Sequence, residues 1–209
     1  MPSQDFDGSL AQSEHAHWKR FVAATEAECS IDRWMNECVG RSTEWIVCHL
    51  METSEPDAAV LADLARRATS DAFFADVELT RGARDLLVAL KAAGTPCAVV
   101  SSGLRAYICG CLKRWGLADH VALVVAGDDD EPGTHKPDPA PYLFAARALG
   151  VDPTDAVAVE DSPSGIESAL AAGVAVVALR NPANTGRGDL LGRALAVAND
   201  LTDQRPFLP

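Results

Sequence analysis

The hydrophobic positions of this chain change rhythm near residue 80. From about Ser13 to Val77, apolar and aromatic side chains recur at helical spacing: Trp18, Phe21 and Val22, then Trp45, Ile46 and Leu50, then Val60, Leu61 and Leu64. Breaks fall near Cys29-Ser30, at Gly40 and at Glu55-Pro56-Asp57. This predicts a run of short helices whose Trp and Phe side chains serve as core rather than as ligand contacts. Beyond Arg81-Gly82, short β-rich runs alternate with helical stretches. The pattern predicts a helix from Ala83 to Ala93 stopped by Gly94, a strand Cys97 to Ser101, a helix from about Arg105 to Trp115 stopped by Gly116, and a strand Val121 to Ala126. A helix from about Pro139 to Leu149, a strand Ala156 to Val159, a helix ended by Gly173 and a strand Val174 to Leu179 follow. A helical stretch at Asp189 to Leu195 and a short strand or turn at Ala196 to Asn199 complete the pattern. Such alternation reads as βαβ units around a parallel sheet, with the all-helical segment inserted near the start.

Several polar residues fall at or just beyond the ends of the predicted strands. Asp5 and Asp7 are two positions apart, so in an extended segment their side chains point to one side. A glycine turn, Gly8, follows at once. Ser101-Ser102, Lys136-Pro137 and Glu160-Asp161 take up comparable places later in the chain. In an open parallel sheet, ligands bind beyond the carboxyl ends of the strands, near the point where strand order reverses. Two aspartates, a serine, a lysine and a further acidic pair would therefore meet in one pocket.

Phosphoryl transfer is the chemistry that needs this set. A carboxylate can attack phosphorus and form an aspartyl-phosphate, dividing hydrolysis into two easier displacements. Nucleophile and phosphate are both anionic, so a divalent cation held by carboxylates is required, and oxygen ligation points to magnesium. A lysine and a hydroxyl then hold the phosphoryl oxygens. The second aspartate is placed to protonate the leaving oxygen and later to activate water.

Composition narrows the field. Across 209 residues the formal net charge is -12, which argues against a nucleic-acid surface, because phosphate backbones need clustered Lys and Arg. No apolar run approaches a membrane span and the start lacks a leader pattern, so the expectation is a soluble, cytoplasmic protein, and a monomer. The six cysteines, Cys29, Cys38, Cys48, Cys97, Cys109 and Cys111, lack zinc-ligand spacing and are expected to be reduced and buried. Asp128 to Asp130 is expected to be a solvated loop.

Taken in order, Asp5-Phe6-Asp7-Gly8, Ser101, Lys136-Pro137 and Glu160-Asp161-Ser162 with Gly165 resemble the four motifs of the haloacid dehalogenase-like hydrolase superfamily. The likeness spans nearly the whole chain and is nearest the subgroup of β-phosphoglucomutase and phosphoglycolate phosphatase. It implies an α/β fold, a Rossmann-like parallel sheet core with helices on both faces and an inserted all-helical cap. Residues 1–12 and 78–209 would form the core, and 13–77 the cap. It also implies a magnesium-dependent phosphatase acting on a small phosphorylated metabolite, a sugar or polyol phosphate. Asp5 would be nucleophile and metal ligand. Asp7 would be the general acid/base and would ligate Mg2+ through its backbone carbonyl. Ser101 and Lys136 would bind the phosphoryl group with Ser102 beside them, and Asp161 with Glu160 would complete the metal site. Glu14 and His17 match a stretch common after the first motif, and Gly40-Arg41-Ser42 resembles the cap segment that faces substrate.

The resemblance departs at the start. The family places four or five apolar residues before the first aspartate, as a central strand requires, whereas here the residues are Met1-Pro2-Ser3-Gln4. The expectation is either an upstream start or a chain impaired in the middle of its sheet. Ser9 and Ala11-Gln12 are lesser departures, expected to tune the turn and the cap hinge. The alternatives are a phosphomutase sharing the same catalytic residues, a non-enzymatic phosphoacceptor, and a truncated non-catalytic relative.

Overall fold

The computed structural model describes residues 2–130, 135–203 and 205–206, with side chains from Asp5 onward; residues 131–134 of the loop after Gly127 lie outside the described residues. Six strands form one parallel sheet: β1 (Pro2–Gln4), β4 (Ala98–Val100), β5 (Leu123–Val125), β6 (Val157–Glu160), β7 (Ala175–Leu179) and β8 (Ala196–Ala198). Their spatial order is β5-β4-β1-β6-β7-β8. The chain builds outward from β1 to one edge, then crosses to β6 and builds the other, so strand order reverses beside β1. The short polar segment before Asp5 takes the position of the central strand. Pro2–Gln4 pairs with β4 on one side and β6 on the other, and proline sits at the strand's first position, where it is best tolerated.

Alternation along the strands assigns the two faces. Val99, Val159 and Val177 face one apolar cluster, with Leu86, Leu87 and Leu90 of α6 (Ala83–Ala92) and Ile108 and Leu112 of α7 (Arg105–Arg114). Their neighbours Ala98, Val100, Ala158, Val176 and Ala178 face the other, with Tyr142 and Ala145 of α8 (Ala140–Ala148) and Ile166 and Ala169 of α9 (Pro163–Ala171). Strands buried on both faces must be apolar at successive positions, which is why these runs are rich in Val and Ala.

Five helices lie between β2 (Ala11–Gln12) and β3 (Glu78–Leu79): α1 (Glu14–Thr25), α2 (Ile31–Glu37), α3 (Thr43–Met51), α4 (Ala58–Ala68) and α5 (Asp71–Asp76). β2 and β3 pair antiparallel, clasping the two ends of the segment, and Gln12 Nε2 donates to Thr80 Oγ1 at 2.9 Å. The breaks are N-caps: Ser30, Ser42, Asp57 and Ser70 each accept a backbone N–H of the following turn. Phe21, Trp34, Ile46, Val47 and Leu64 make a separate apolar cluster. Phe73 of α5 joins the cluster beside the sheet instead, and the Phe74 ring covers Gly110 of α7 so closely that a Cβ there would collide with it.

The expected helical stretch near Asp189 is corrected to α10 (Gly188–Leu191), ending at Gly192, a residue with poor helix propensity. The acidic triple lies in a loop, as expected, with Asp128 and Asp130 exposed and Asp129 half-buried. Asp128 accepts the Arg105 backbone N–H at 2.7 Å at the start of α7, and Asp129 pairs with the Arg105 guanidinium at 2.6 Å; Asp130 is unengaged among the bonds described. Of the cysteines, Cys109 is exposed and Cys48 half-buried, while the other four are buried.

Candidate active site

The pattern that makes β1 central also aims its carboxyl end. The Asp5 N–H bonds Val159 O at 2.9 Å, prolonging the ladder by one residue. Phe6 then turns into the core against Tyr107 and Trp115, with ring centroids 5.3 and 5.9 Å away. Asp5 and Asp7 are thereby turned together into a cleft between sheet and helical segment. Ser101, Ser102, Lys136 and Asp161 line it from the sheet side, and His17, Gly40 and Arg41 from the helical side.

At the floor, Lys136 Nζ donates to Asp5 Oδ1 at 2.8 Å, Glu160 Oε1 at 2.5 Å and Val100 O at 2.9 Å. Burial works against the ammonium, but Asp5 and Glu160 outweigh it and hold Lys136 charged well beyond its ordinary range. Burial pushes Asp5 up and Lys136 pulls it back, with burial prevailing. Glu160 is pushed up to about 7 by burial and by Asp5. It also accepts the Tyr142 hydroxyl.

Asp161 is fixed from behind. Asn181 Nδ2 donates to its Oδ2 at 2.5 Å, and Asn184 Nδ2 to its backbone oxygen at 2.7 Å. Its Oδ1 is buried with no partner among the described residues, a costly state for a carboxylate oxygen. Burial first, then Asp5 and Glu160, drive its pKa well above the usual range. Ligand atoms of Asp5, Glu160 and Asp161 lie within 4.8 Å of one another. With all three carboxylates ionised, one ammonium offsets one of them and two negative charges remain, and the donor set is all oxygen. A divalent cation fits both the charge and the chemistry.

Gly8 leaves room for this cluster. Its φ of +75° disfavours any side chain, and a Cβ at this position would overlap the Asp161 carboxylate. Gly8→Ala is expected to cost about 1–3 kcal/mol from backbone strain and overpacking. The measurement is the urea midpoint; an unchanged midpoint would mean that Asp161 moves aside without cost.

Asp7 is held differently. Its Oδ1 accepts from Ser13 Oγ at 2.5 Å and Tyr107 OH at 2.7 Å, and lies 3.1 Å from His17 Nε2. Burial opposes its charge, but His17, Ser13 and Tyr107 together keep its carboxyl below the ordinary value. Ser13 stands at the N-cap of α1 but makes no cap bond, its hydroxyl being turned to Asp7.

The expected site residues divide as follows. Asp5, Asp7, His17, Gly40, Arg41, Ser101, Ser102, Lys136 and Asp161 line the cleft, and Glu160 lies beneath it, bound to Lys136. Ser42 is not among the lining residues; its hydroxyl caps α3 by accepting Trp45 N–H at 3.3 Å. Arg41 stacks its guanidinium 4.8 Å over Trp45, and Ser164 Oγ bonds Gly40 O at 3.2 Å, joining helical segment to sheet. Phe21 and Trp34, expected as core alone, are buried and also line the cleft. Sequence reasoning did not single out Tyr107, Tyr142, Ser13, Asn181 or Asn184. Asn181 follows β7 as Asp5 follows β1, so strand position was the signal available for it; the tyrosines lie inside helices and carried none.

The haloacid dehalogenase-like hydrolase family matches residues 4–179. A validoxylamine A 7'-phosphate phosphatase of Streptomyces hygroscopicus subsp. limoneus is 32% identical over 206 residues, covering 96% of this chain and 93% of its own. Hexitol phosphatase A of Escherichia coli is 41% identical over 106 residues, 51% of this chain and 48% of its own. Among solved structures, CbbY from Rhodobacter sphaeroides in complex with phosphate superposes with a TM-score of 0.82 at 22% identity, covering 97% of this chain and 94% of that one. A β-phosphoglucomutase from Clostridium difficile gives 0.80 at 16% identity, covering 96% and 91%. These two likenesses concern the fold.

Proposed function

Because the chain belongs to the haloacid dehalogenase-like hydrolases and is a phosphoric monoester hydrolase among them, we propose that it is a magnesium-dependent phosphatase of a sugar or polyol phosphate, working through an aspartyl-phosphate. The observation that carries this reading is the convergence of Asp5, Glu160 and Asp161 beside Lys136, with one buried carboxylate oxygen of Asp161 unpartnered. The relatives named for a validoxylamine phosphate and for hexitol phosphates support the substrate class. Asp5 attacks phosphorus. Ser101 and Lys136 hold the phosphoryl oxygens, assisted by Ser102. Asp7, released from part of its present hydrogen bonding so that its carboxyl takes up a proton, gives that proton to the leaving oxygen; as a carboxylate it then takes a proton from the water whose oxygen bonds to phosphorus and displaces Asp5. Asp5, Asp161, Glu160 and the Asp7 backbone carbonyl would hold Mg2+, which supplies charge neutralisation of nucleophile and phosphate. Residues 13–77 act as a cap over a core of 1–12 and 78–209, and His17, Gly40 and Arg41 face the substrate. The protein would work as a cytoplasmic monomer on a small molecule, without nucleic acid or membrane; among the described residues no helix is long and apolar enough to cross a membrane.

The test is phosphate release with Mg2+ from hexitol and hexose phosphates and from an aryl phosphate. Release that requires Mg2+ and favours the sugar or polyol esters is expected. Isomerised sugar phosphate with little free phosphate would identify a mutase instead, and no turnover of any ester by the folded chain would overturn the reading.

Metal removal has a pH signature. Glu160, raised from 4.5 to about 7, and Asp161, raised well above its ordinary value by burial, bind protons in the folded chain where the unfolded chain has lost them. Without metal, stability must then fall as pH rises between those values. Asp7, whose pKa is lowered, contributes stability lost only on acidification below the ordinary aspartate range, outside that window. Chelated protein is expected to be about 1–3 kcal/mol less stable near pH 7.5 than near pH 5, with Mg2+ removing most of the difference. Urea midpoints at both pH values, with EDTA and with Mg2+, decide it. A metal-free chain equally stable at both would contradict the account of this cluster.

A further inference from the structure

The first helix presents a polar stripe to the cleft that the phosphoryl chemistry does not use in full. Glu14, His17 and Arg20 recur every three residues on α1, making neighbours on one helix face, and all three line the cleft with Phe21. His17 is committed to Asp7. Arg20 is not committed. Its Nε is buried with no partner among the described residues, its Nη1 reaches Leu64 O at only 3.4 Å, and its guanidinium lies 5.4 Å from the Phe73 ring centroid. Among the described residues it makes no ion pair. Burial weakens its charge, and Asp7, Tyr107 and Glu14 are the groups acting against that loss. Glu14 Oε2 accepts Trp34 Nε1 at 2.9 Å. Its other oxygen has no partner among the bonds described.

An arginine with donors to spare and a carboxylate with an acceptor to spare, on one helix and lining the same cleft, suit a group that both accepts and donates. A hydroxyl does both. A second phosphate or a carboxylate would satisfy Arg20 but meet Glu14 and Asp7 as like charges, close to where the leaving oxygen departs. Resting on the phosphatase reading above, we infer that Arg20 is a specificity-determining residue that binds hydroxyl oxygens of the leaving group while Glu14 accepts hydroxyl hydrogens. The substrate is then a polyhydroxylated monophosphate with no second anionic group at that wall. Buried donors and acceptors left unpaired by a ligand lacking the hydroxyls would enforce the preference.

The experiment compares a hexitol monophosphate with an aryl phosphate, which shares the phosphoryl group and lacks the hydroxyls. In Arg20→Met, the ratio of kcat/KM for the hexitol ester to that for the aryl ester is expected to fall about ten- to hundredfold. Arg20→Lys should recover part of the ratio. Glu14→Gln, which keeps an oxygen for Trp34, should lower it in the same sense. Calorimetric binding of the hexitol ester and of inorganic phosphate to Asp5→Asn, with and without Arg20→Met, gives a readout that does not need turnover. Selective loss of hexitol binding upholds the inference even if the wild type releases no phosphate, a result that would sink the phosphatase reading alone. Equal losses for both ligands, no loss for either, or wild-type preference for a hexitol bisphosphate would overturn it.

Discussion

Asp5→Asn is expected to lower Mg2+-dependent phosphate release by at least about a thousandfold, the scale seen when a covalent nucleophile is removed, while leaving the fold intact. The two halves of that expectation have separate physical grounds. Asparagine keeps the shape of the side chain but cannot form an acyl phosphate of the same kind, so the two-step route is closed. Stability should survive because Lys136 retains Glu160 and Val100 O as partners. Burial has moreover pushed the Asp5 carboxyl above its ordinary range, so its charge is a burden on the metal-free fold at neutral pH. Phosphate release and thermal unfolding measured on the same preparation test both halves. Undiminished turnover would remove Asp5 from the mechanism, and loss of turnover with loss of folding would leave the Asp7→Asn variant as the one to measure, with Asp7 lying outside the Lys136 pair.

Much of this arrangement was legible in the sequence because strand polarity converts order along the chain into position in space. Asp5, Ser101 and Asp161 each follow a strand of one parallel sheet, so their convergence needs only the sheet's topology. Lys136 reaches the same place from the loop after β5. Two of the helix breaks were readable for an equally local reason: Ser30 and Asp57 are caps, and a cap is specified by one residue and its next turn. What escaped depends on side chains arriving across long separations. Tyr107 reaches Asp7 from a helix far along the chain, and Asp161 is steadied by Asn181 from another loop. A tyrosine inside α7 has the pattern of a core residue, and it is one, with only its hydroxyl in the site. Ser42 departs in the opposite direction: a motif likeness gave it to the cleft, while the local demand for a helix cap took its hydroxyl.

The same long-range coupling ties the helical segment to the acid/base. Ser13 and His17 belong to the start of α1, and both touch Asp7. Gly40 meets Ser164 across the cleft mouth, where a Cβ would come within 2.8 Å of Ser162 Cβ. Any movement of residues 13–77 against the sheet therefore changes the surroundings of Asp7 and the width of the mouth together.

Lys136→Met is expected to give the largest loss of stability. Methionine approximates the length of the side chain but brings no charge, and the vacated ammonium leaves Asp5, Glu160 and Asp161 buried together with nothing but hydrogen-bond donors to offset them. Breaking a buried pair by removing one partner costs about 3–5 kcal/mol, more than replacing the whole cluster would. Protonation offers the carboxylates an escape, so the loss should be greatest near neutral pH and smaller near pH 5, where Glu160, already raised to about 7, takes up its proton. Mg2+ should recover part of the stability by restoring positive charge beside the same oxygens, yet not the activity, because the phosphoryl group would still lack its ammonium. Urea unfolding of Lys136→Met at the two pH values, with EDTA and with Mg2+, separates these contributions. A loss independent of pH would point to packing of the lysine's methylenes rather than to charge, and would mean that the three carboxylates do not share one electrostatic site.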